Sequence, residues 1–257
     1  MQLQFLTRIP IPVKIDFNER QFVSGLIYAP LVGLIMGIIL SGFFFITEML
    51  GFRIISVVTV ITVEIILSGG LHLDGLADSA DGLFSNQPKK RILEIMRDSQ
   101  IGTNGTLALI MVILLKIVLL LSISDVFIFH VIILMPVLSR MTISWTGFLS
   151  PYARDGVNGM GKSIAEYTGI KEIIISTLFA LIIAIAVFYN YYLFIPLFLI
   201  IISILFTVIF ISYSKKKIGG TTGDIIGAVI ELNEVVFLLF ILLFSVIIKN
   251  NNLNFLY

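Results

Sequence analysis

Ile54-Ile55-Ser56-Val57-Val58-Thr59-Val60-Ile61-Thr62-Val63-Glu64-Ile65-Ile66-Leu67-Ser68-Gly69-Gly70-Leu71-His72-Leu73-Asp74-Gly75-Leu76-Ala77-Asp78-Ser79-Ala80-Asp81-Gly82 is the stretch on which the fold turns. Its first half is an apolar run of the length that crosses a bilayer core, and its second half sets three carboxylates and a histidine where hydrocarbon gives way to water. On a helix, Asp74, Asp78 and Asp81 stand at i, i+4 and i+7, within about 60° of one another around the axis. Three clustered negative charges repel unless a cation sits among them. Oxygen ligands and a chain without cysteine favour Mg²⁺ or Mn²⁺ over zinc. The plainer alternative is a solvated acidic loop after a membrane helix.

Working outward, the rest of the chain carries the same hydrocarbon signature. Of its 257 residues, 58% are hydrophobic and 13% charged, with a mean hydropathy of +1.07. A soluble domain carries roughly twice that share of charge, about 25%, so the expected fold is an all-α, polytopic helical bundle in a lipid bilayer. A net charge of +1 argues against nucleic acid, and the absence of cysteine excludes disulfides and thiolate chemistry. Residues 1–21, with scattered charges and two Ile-Pro pairs, do not read as a cleaved signal. Their Phe5, Leu6, Ile9 and Ile11 are expected at the membrane interface. No repeat, linker or low-complexity tract divides residues 1–257, which read as one integral-membrane domain.

Spans are expected near 22–47, 54–70, 105–123, 126–149, 172–190, 191–212 and 226–248, each close to the ~20 residues that cross a bilayer core. Tyr189-Asn190-Tyr191-Tyr192 separates two of them, and the glycine-rich 219–228 region reads either as a spanning or as a re-entrant helix. With the N-terminus cytoplasmic, 1–21, 71–103, 150–171 and 213–224 share one side. That side collects Arg8, Lys14, Arg20, Lys89, Lys90, Arg91, Arg97, Arg154, Lys162, Lys171, Lys215, Lys216 and Lys217, against Arg53 and Lys249 opposite. Such a bias puts the four segments in the cytoplasm.

Two further blocks open on that side. Lys89 to Gly105 begins as an amphipathic helix, with Ile92, Ile95 and Met96 on one face. It ends in Asp98-Ser99 and two glycines, offering a carboxylate and helix N-terminal N–H groups suited to phosphate. Gly219 to Glu234 reads as a turn into a helix whose Asp224, Glu231 and Glu234 fall near one face. Arg140, inside a span, costs about 2.5–3.5 kcal/mol on insertion scales and must face an anion, either a phosphate or Glu64 or Glu231. Lys116 is similar but can snorkel. His130, without acidic neighbours, reads as structural.

Four blocks together, Gln4-Phe5-Leu6-Thr7-Arg8-Ile9-Pro10-Ile11-Pro12, His72–Gly82, Glu94–Gly105 and Gly219–Glu234, resemble the cobalamin synthase (adenosylcobinamide-GDP ribazoletransferase) family in order and spacing. The resemblance implies a Mg²⁺-dependent membrane enzyme that joins adenosylcobinamide-GDP to α-ribazole or its 5′-phosphate and releases GMP. It implies Asp74, Asp78 and Asp81 as metal ligands and His72 or Asp98 as general base. Arg97, Arg140, Arg154, Asp224 and Glu231 are the candidates expected to bind substrate. Asp78-Ser79-Ala80-Asp81-Gly82 also fits the opening of the CDP-alcohol phosphotransferase signature, but Ser85-Asn86 replace its Ala-Arg and its later acidic pair is missing. A cation-coupled transporter is the alternative from another class, and it would carry its acids near the midplane. A homo-oligomer is compatible with the sequence.

Overall fold

The computed structural model describes residues 1–154, 156, 159–189 and 194–250, with side chains as far as Val246. Among these residues the chain is helical and has no strand. The helices are α1 (Gln2–Leu6), α2 (Glu19–Ser24), α3 (Ala29–Glu48), α4 (Arg53–Ser68), α5 (Leu71–Leu83), α6 (Lys89–Ile95), α7 (Thr103–Ser122), α8 (Asp125–Leu149), α9 (Met160–Tyr167), α10 (Ile170–Val187), α11 (Phe194–Ile218) and α12 (Gly223–Asn250). Six described helical stretches are long and apolar enough to cross a bilayer, and the α4–α5 pair, bent by 89°, makes a seventh when taken as one broken span. Six of the expected spans are present as helices of that length and composition, and the seventh, near 54–70, is present only as half of the bent pair. The break is at α4–α5, however, whereas α12 runs on from Gly223 as one continuous helix. The separator at 190–192 lies outside the described residues.

Helix α8 is the axis of the bundle, packed by α3, α10, α11 and α12. Gly33 and Gly37, one turn apart on α3, bring that helix against the α8 backbone. A Cβ on either would lie 2.7 Å from an α8 Cα, that of Val137 or of Ile133. Small residues at this spacing are how helices approach closely in lipid, where no hydrophobic drive pushes them together. Around this axis Leu40, Phe44, Val60, Leu120, Val131, Leu134 and Phe188 close one core cluster. Large apolar side chains such as Ile38, Phe45, Ile66, Met111, Val118, Leu178 and Ile209 stay exposed on the perimeter. In water such a surface would be an aggregation hazard; in hydrocarbon it is the solvated state.

The two ends of the bundle differ. At one, Arg53 pairs with Glu48 at 3.3 Å and Asp125 at 3.4 Å and donates to the Ile123 carbonyl, tying two short turns together. At the other, the four positively charged segments assemble. Thr221 N donates to Pro151 O and Ala153 N to Thr221 O, each at 2.8 Å, and Arg8 N donates to Leu67 O. Helix α1 is tied to the bundle. Gln2 Nε2 donates to Phe22 O at 2.6 Å, Leu6 is buried, and Phe5 meets Phe22 edge-on at 5.0 Å. That anchoring turns α1 into a wall of the site.

Candidate active site

Gly69 and Gly70 both adopt left-handed backbone, φ +65° and +71°, which side-chain-bearing residues avoid. Two such residues in succession end α4 and start α5 in a new direction. Helix α5 then crosses α12 at glycines on both sides. A Cβ at Gly75 would lie 2.8 Å from Asp224 O, and one at Gly227 3.1 Å from His72 O. The glycine after Asp74 and the glycine three residues after Asp224 thus have one purpose: they let the two acidic elements touch.

Asp78 sits in the electrostatic field of Asp224, Asp74 and Asp81, with Arg154 the opposing charge. Arg154 donates to Asp224 Oδ2 at 2.7 Å and to Met96 O at 3.2 Å, and Thr222 Oγ1 donates to the same Asp224 oxygen at 3.2 Å. Arg154 therefore joins the end of α6 to the start of α12 and fixes where Asp224 points. A cavity of about 530 Å³ opens beside this cluster, lined by Asp74, Asp78, Arg97, Asp98 and Ser99. A second, of about 200 Å³, lies between α1, α5, α8, α9 and α12 and is lined by His72, Asp74 and Asp224 among apolar side chains. Asp74 faces both. The 219–234 helix and residues 72–82 thus share a cavity, as their common acidic character suggested.

Three expected site features have other partners in this structure. Asp81, placed among the metal ligands, accepts from Gly102 N at 2.6 Å and Gly105 N at 2.8 Å, one oxygen each. Its charge meets the positive end of α7, so it acts as a cap reaching across from another helix. The N–H groups of Gly102 and Gly105, which suited phosphate, are taken by the same contacts. Arg140 and Glu231 do not line either cavity. Arg140, 1% exposed, pairs with Glu234 and lies 3.9 Å from Glu64. Lys116 pairs with Glu231 at 2.7 Å, with Glu64 at 3.4 Å and with Glu234. Ser139 Oγ donates to Glu234 at 2.9 Å and accepts from Arg140 at 2.8 Å. An arginine and a lysine in hydrocarbon have found carboxylates from α4 and α12, the alternative to phosphate that the sequence left open.

No three described His, Cys, Asp or Glu side chains converge into a ready-made metal cluster. Mg²⁺ does not require one. It keeps several waters and is commonly held by one or two carboxylates together with substrate phosphates. Asp74 and Asp78, on one face of α5, open to a cavity large enough for hydrated ion and phosphate, with Asp224 close by. The oxygen-only donor set and the excess of carboxylates over arginine fit that mode of binding.

The family profile described as Cobalamin-5-phosphate synthase matches residues 1–242. The chain belongs to this family. It is 45% identical to the adenosylcobinamide-GDP ribazoletransferase of Clostridium acetobutylicum over 239 residues, 93% of each chain. It is 41% identical to the protein of the same name from Acetivibrio thermocellus over 245 residues, 95% of this chain and 97% of that one. The enzyme of that name from Fusobacterium nucleatum is 38% identical over 264 aligned positions. No solved structure matches. For this family member, Glu64, Lys116 and Glu234 are the residues that sequence reasoning undervalued. Their signal was present, since a charge within each of three apolar spans implies a mutual partner.

Proposed function

We propose that this protein is a Mg²⁺-dependent adenosylcobinamide-GDP ribazoletransferase of the cell membrane, with its active site facing the cytoplasm. The observation that carries the reading is the meeting of α5 and α12 at Gly75 and Gly227, which brings Asp74, Asp78 and Asp224 within one another's electrostatic field in a chain that shares nearly its full length with enzymes of that name. The lysine and arginine excess at that end of the bundle supports the cytoplasmic orientation.

In the reaction, a ribazole hydroxyl oxygen bonds to the phosphorus attached to the corrinoid's aminopropanol. The bond from that phosphorus to the GMP oxygen breaks, and GMP leaves with the electron pair. Phosphoryl transfer asks a protein chiefly for positioning and charge. Arg97, at the lip of the larger cavity, supplies positive charge to the diphosphate. Asp74 and Asp78 would hold Mg²⁺, which when bound neutralises the diphosphate and the charge developing on GMP. Arg154 and Thr222 hold Asp224 in place at the smaller cavity, which Asp74 also lines. The hydroxyl proton passes to His72 or Asp98, which lie on opposite sides of Asp74. The corrin ring is large and partly apolar, and a cytoplasmic opening between spans is its natural dock.

The buried Glu64, Glu231 and Glu234 are the intramembrane acids a cation-coupled transporter would carry, but Lys116 and Arg140 already occupy them. The test is to supply purified protein with both substrates and Mg²⁺ and follow the products by mass spectrometry. A joined corrinoid–ribazole product and GMP in equal amounts are expected. Corrinoid uptake into proteoliposomes without GMP would replace this reading with transport.

A further inference from the structure

The two cavities that share Asp74 differ in chemistry. The larger, about 530 Å³, gathers the charged and hydroxyl side chains of Asp74, Asp78, Arg97, Asp98 and Ser99 beside Leu73, Ile101 and Leu109. The smaller, about 200 Å³, is walled mainly by Phe5, Leu6, Ile143, Ile164, Ile226 and Ile230, with His72, Asp74 and Asp224 as its polar side chains. Within those walls sits His72, 3% exposed, whose Nδ1 has no hydrogen-bond partner. A buried polar atom left unpaired is costly and calls for an explanation, and an absent ligand is one.

The two substrates of the proposed reaction divide in the same way. The GDP-activated corrinoid brings a diphosphate and a macrocycle too large for the smaller cavity. Ribazole brings a bicyclic dimethylbenzimidazole, apolar except for one free ring nitrogen. Guanine is also bicyclic, but it is tethered to the diphosphate, whose charge matches Arg97 in the larger cavity. Mostly apolar walls with one or two placed polar groups are the usual make-up of a small-molecule pocket.

We infer that the cavity bounded by α1, α5, α8, α9 and α12 is the acceptor subsite, which holds the aromatic base of ribazole with His72 as its hydrogen-bonding partner, leaves Asp98 to take the hydroxyl proton, and has Asp74 at the junction with the donor. This rests on the function proposed above. It also gives the Gln4–Arg8 segment a role, since α1, pinned by Gln2 to Phe22, places Phe5 and Leu6 over the base.

The test uses the full-length protein in detergent or nanodiscs and reads KM for each substrate separately. Ile226→Phe puts an aromatic ring into the cavity. It is expected to raise KM for ribazole at least tenfold and to leave KM for adenosylcobinamide-GDP within twofold. Replacing ribazole by the nucleoside of unsubstituted benzimidazole, which lacks the two methyl groups, should recover most of the loss. Equal effects on both substrates, or none on either, would overturn the assignment. Should Ile226→Phe not accumulate, Ile143→Val enlarges the same cavity and is expected to improve use of a bulkier diethylbenzimidazole nucleoside relative to ribazole; unchanged selectivity overturns the assignment equally. Absence of GMP release by the unsubstituted protein would instead defeat the proposed function. Turnover with unshifted acceptor selectivity would defeat the subsite alone.

Discussion

Asp81 offers the sharpest separation between what a motif suggests and what a structure does with it. Its two oxygens accept from Gly102 N and Gly105 N, at 2.6 and 2.8 Å, and so hold the start of α7 against α5. Asp81→Asn keeps one acceptor oxygen and loses the charge, so at best one of the two bonds survives. A hydrogen bond to a charged group contributes about 1.5–3 kcal/mol, and the lost charge at a helix N-terminus adds about 0.3–1 kcal/mol. A loss of about 2 kcal/mol corresponds to roughly a 30-fold rise in local opening. Amide hydrogen exchange at 102–106, measured by mass spectrometry in nanodiscs without substrate, reads that opening directly. The cap predicts faster exchange there, little change in α11 or α12, and Mg²⁺ affinity within about threefold of the unsubstituted protein. Unchanged exchange together with a tenfold or larger loss of Mg²⁺ affinity would refute the cap and restore Asp81 to the metal site.

Other perturbations separate positioning from contact. Glu234→Ala strands Arg140 and Lys116 in the bundle and should destabilise it by about 3–5 kcal/mol, seen as a lower unfolding midpoint in detergent; an unchanged midpoint would deny the ion cluster a structural role. Arg140→Lys keeps the charge but loses the planar fork, and KM for the GDP-corrinoid should not move, because the cluster touches neither cavity. Arg154→Ala should lower kcat at least tenfold and expose 97–101 to proteolysis; a rise in KM for the donor with the loop still protected would make Arg154 a substrate ligand instead. Cysteines at 78 and 224, introduced into this cysteine-free chain, should be joined by a crosslinker shorter than about 15 Å, about four extended residues; failure in a folded, reactive protein would separate α5 from α12.

Much of the fold was legible because hydrocarbon imposes a simple rule on sequence. Runs near 20 apolar residues mark spans, and the lysine and arginine counts sort their ends. The acidic face of α5 was legible too, since Asp74 and Asp78 follow helical periodicity. The α4–α5 break was harder to place: Gly69-Gly70 and Gly219-Gly220 look alike in sequence, and only packing decides which pair bends a span. Partners were the least legible. Asp81 meets backbone N–H groups 21 and 24 residues away, and Arg140 meets a carboxylate 94 residues on. A carboxylate's periodicity says which way it points and nothing about what waits there. The N-terminal block showed the same limit, for Phe5 and Leu6 look equally suited to a lipid interface and to a cavity wall.

The central claim is that Asp74 and Asp78 bind the ion on which transfer depends. It is tested most directly by GMP release, at saturating adenosylcobinamide-GDP and ribazole, across a Mg²⁺ titration of the unsubstituted protein and of Asp74→Asn and Asp78→Asn. The account predicts no release without the ion, saturation in the unsubstituted protein, and at least a hundredfold lower rate in each variant, with whatever remains requiring more Mg²⁺. Full release in the presence of a chelator, or variants with the unsubstituted protein's rate and Mg²⁺ requirement, would contradict it.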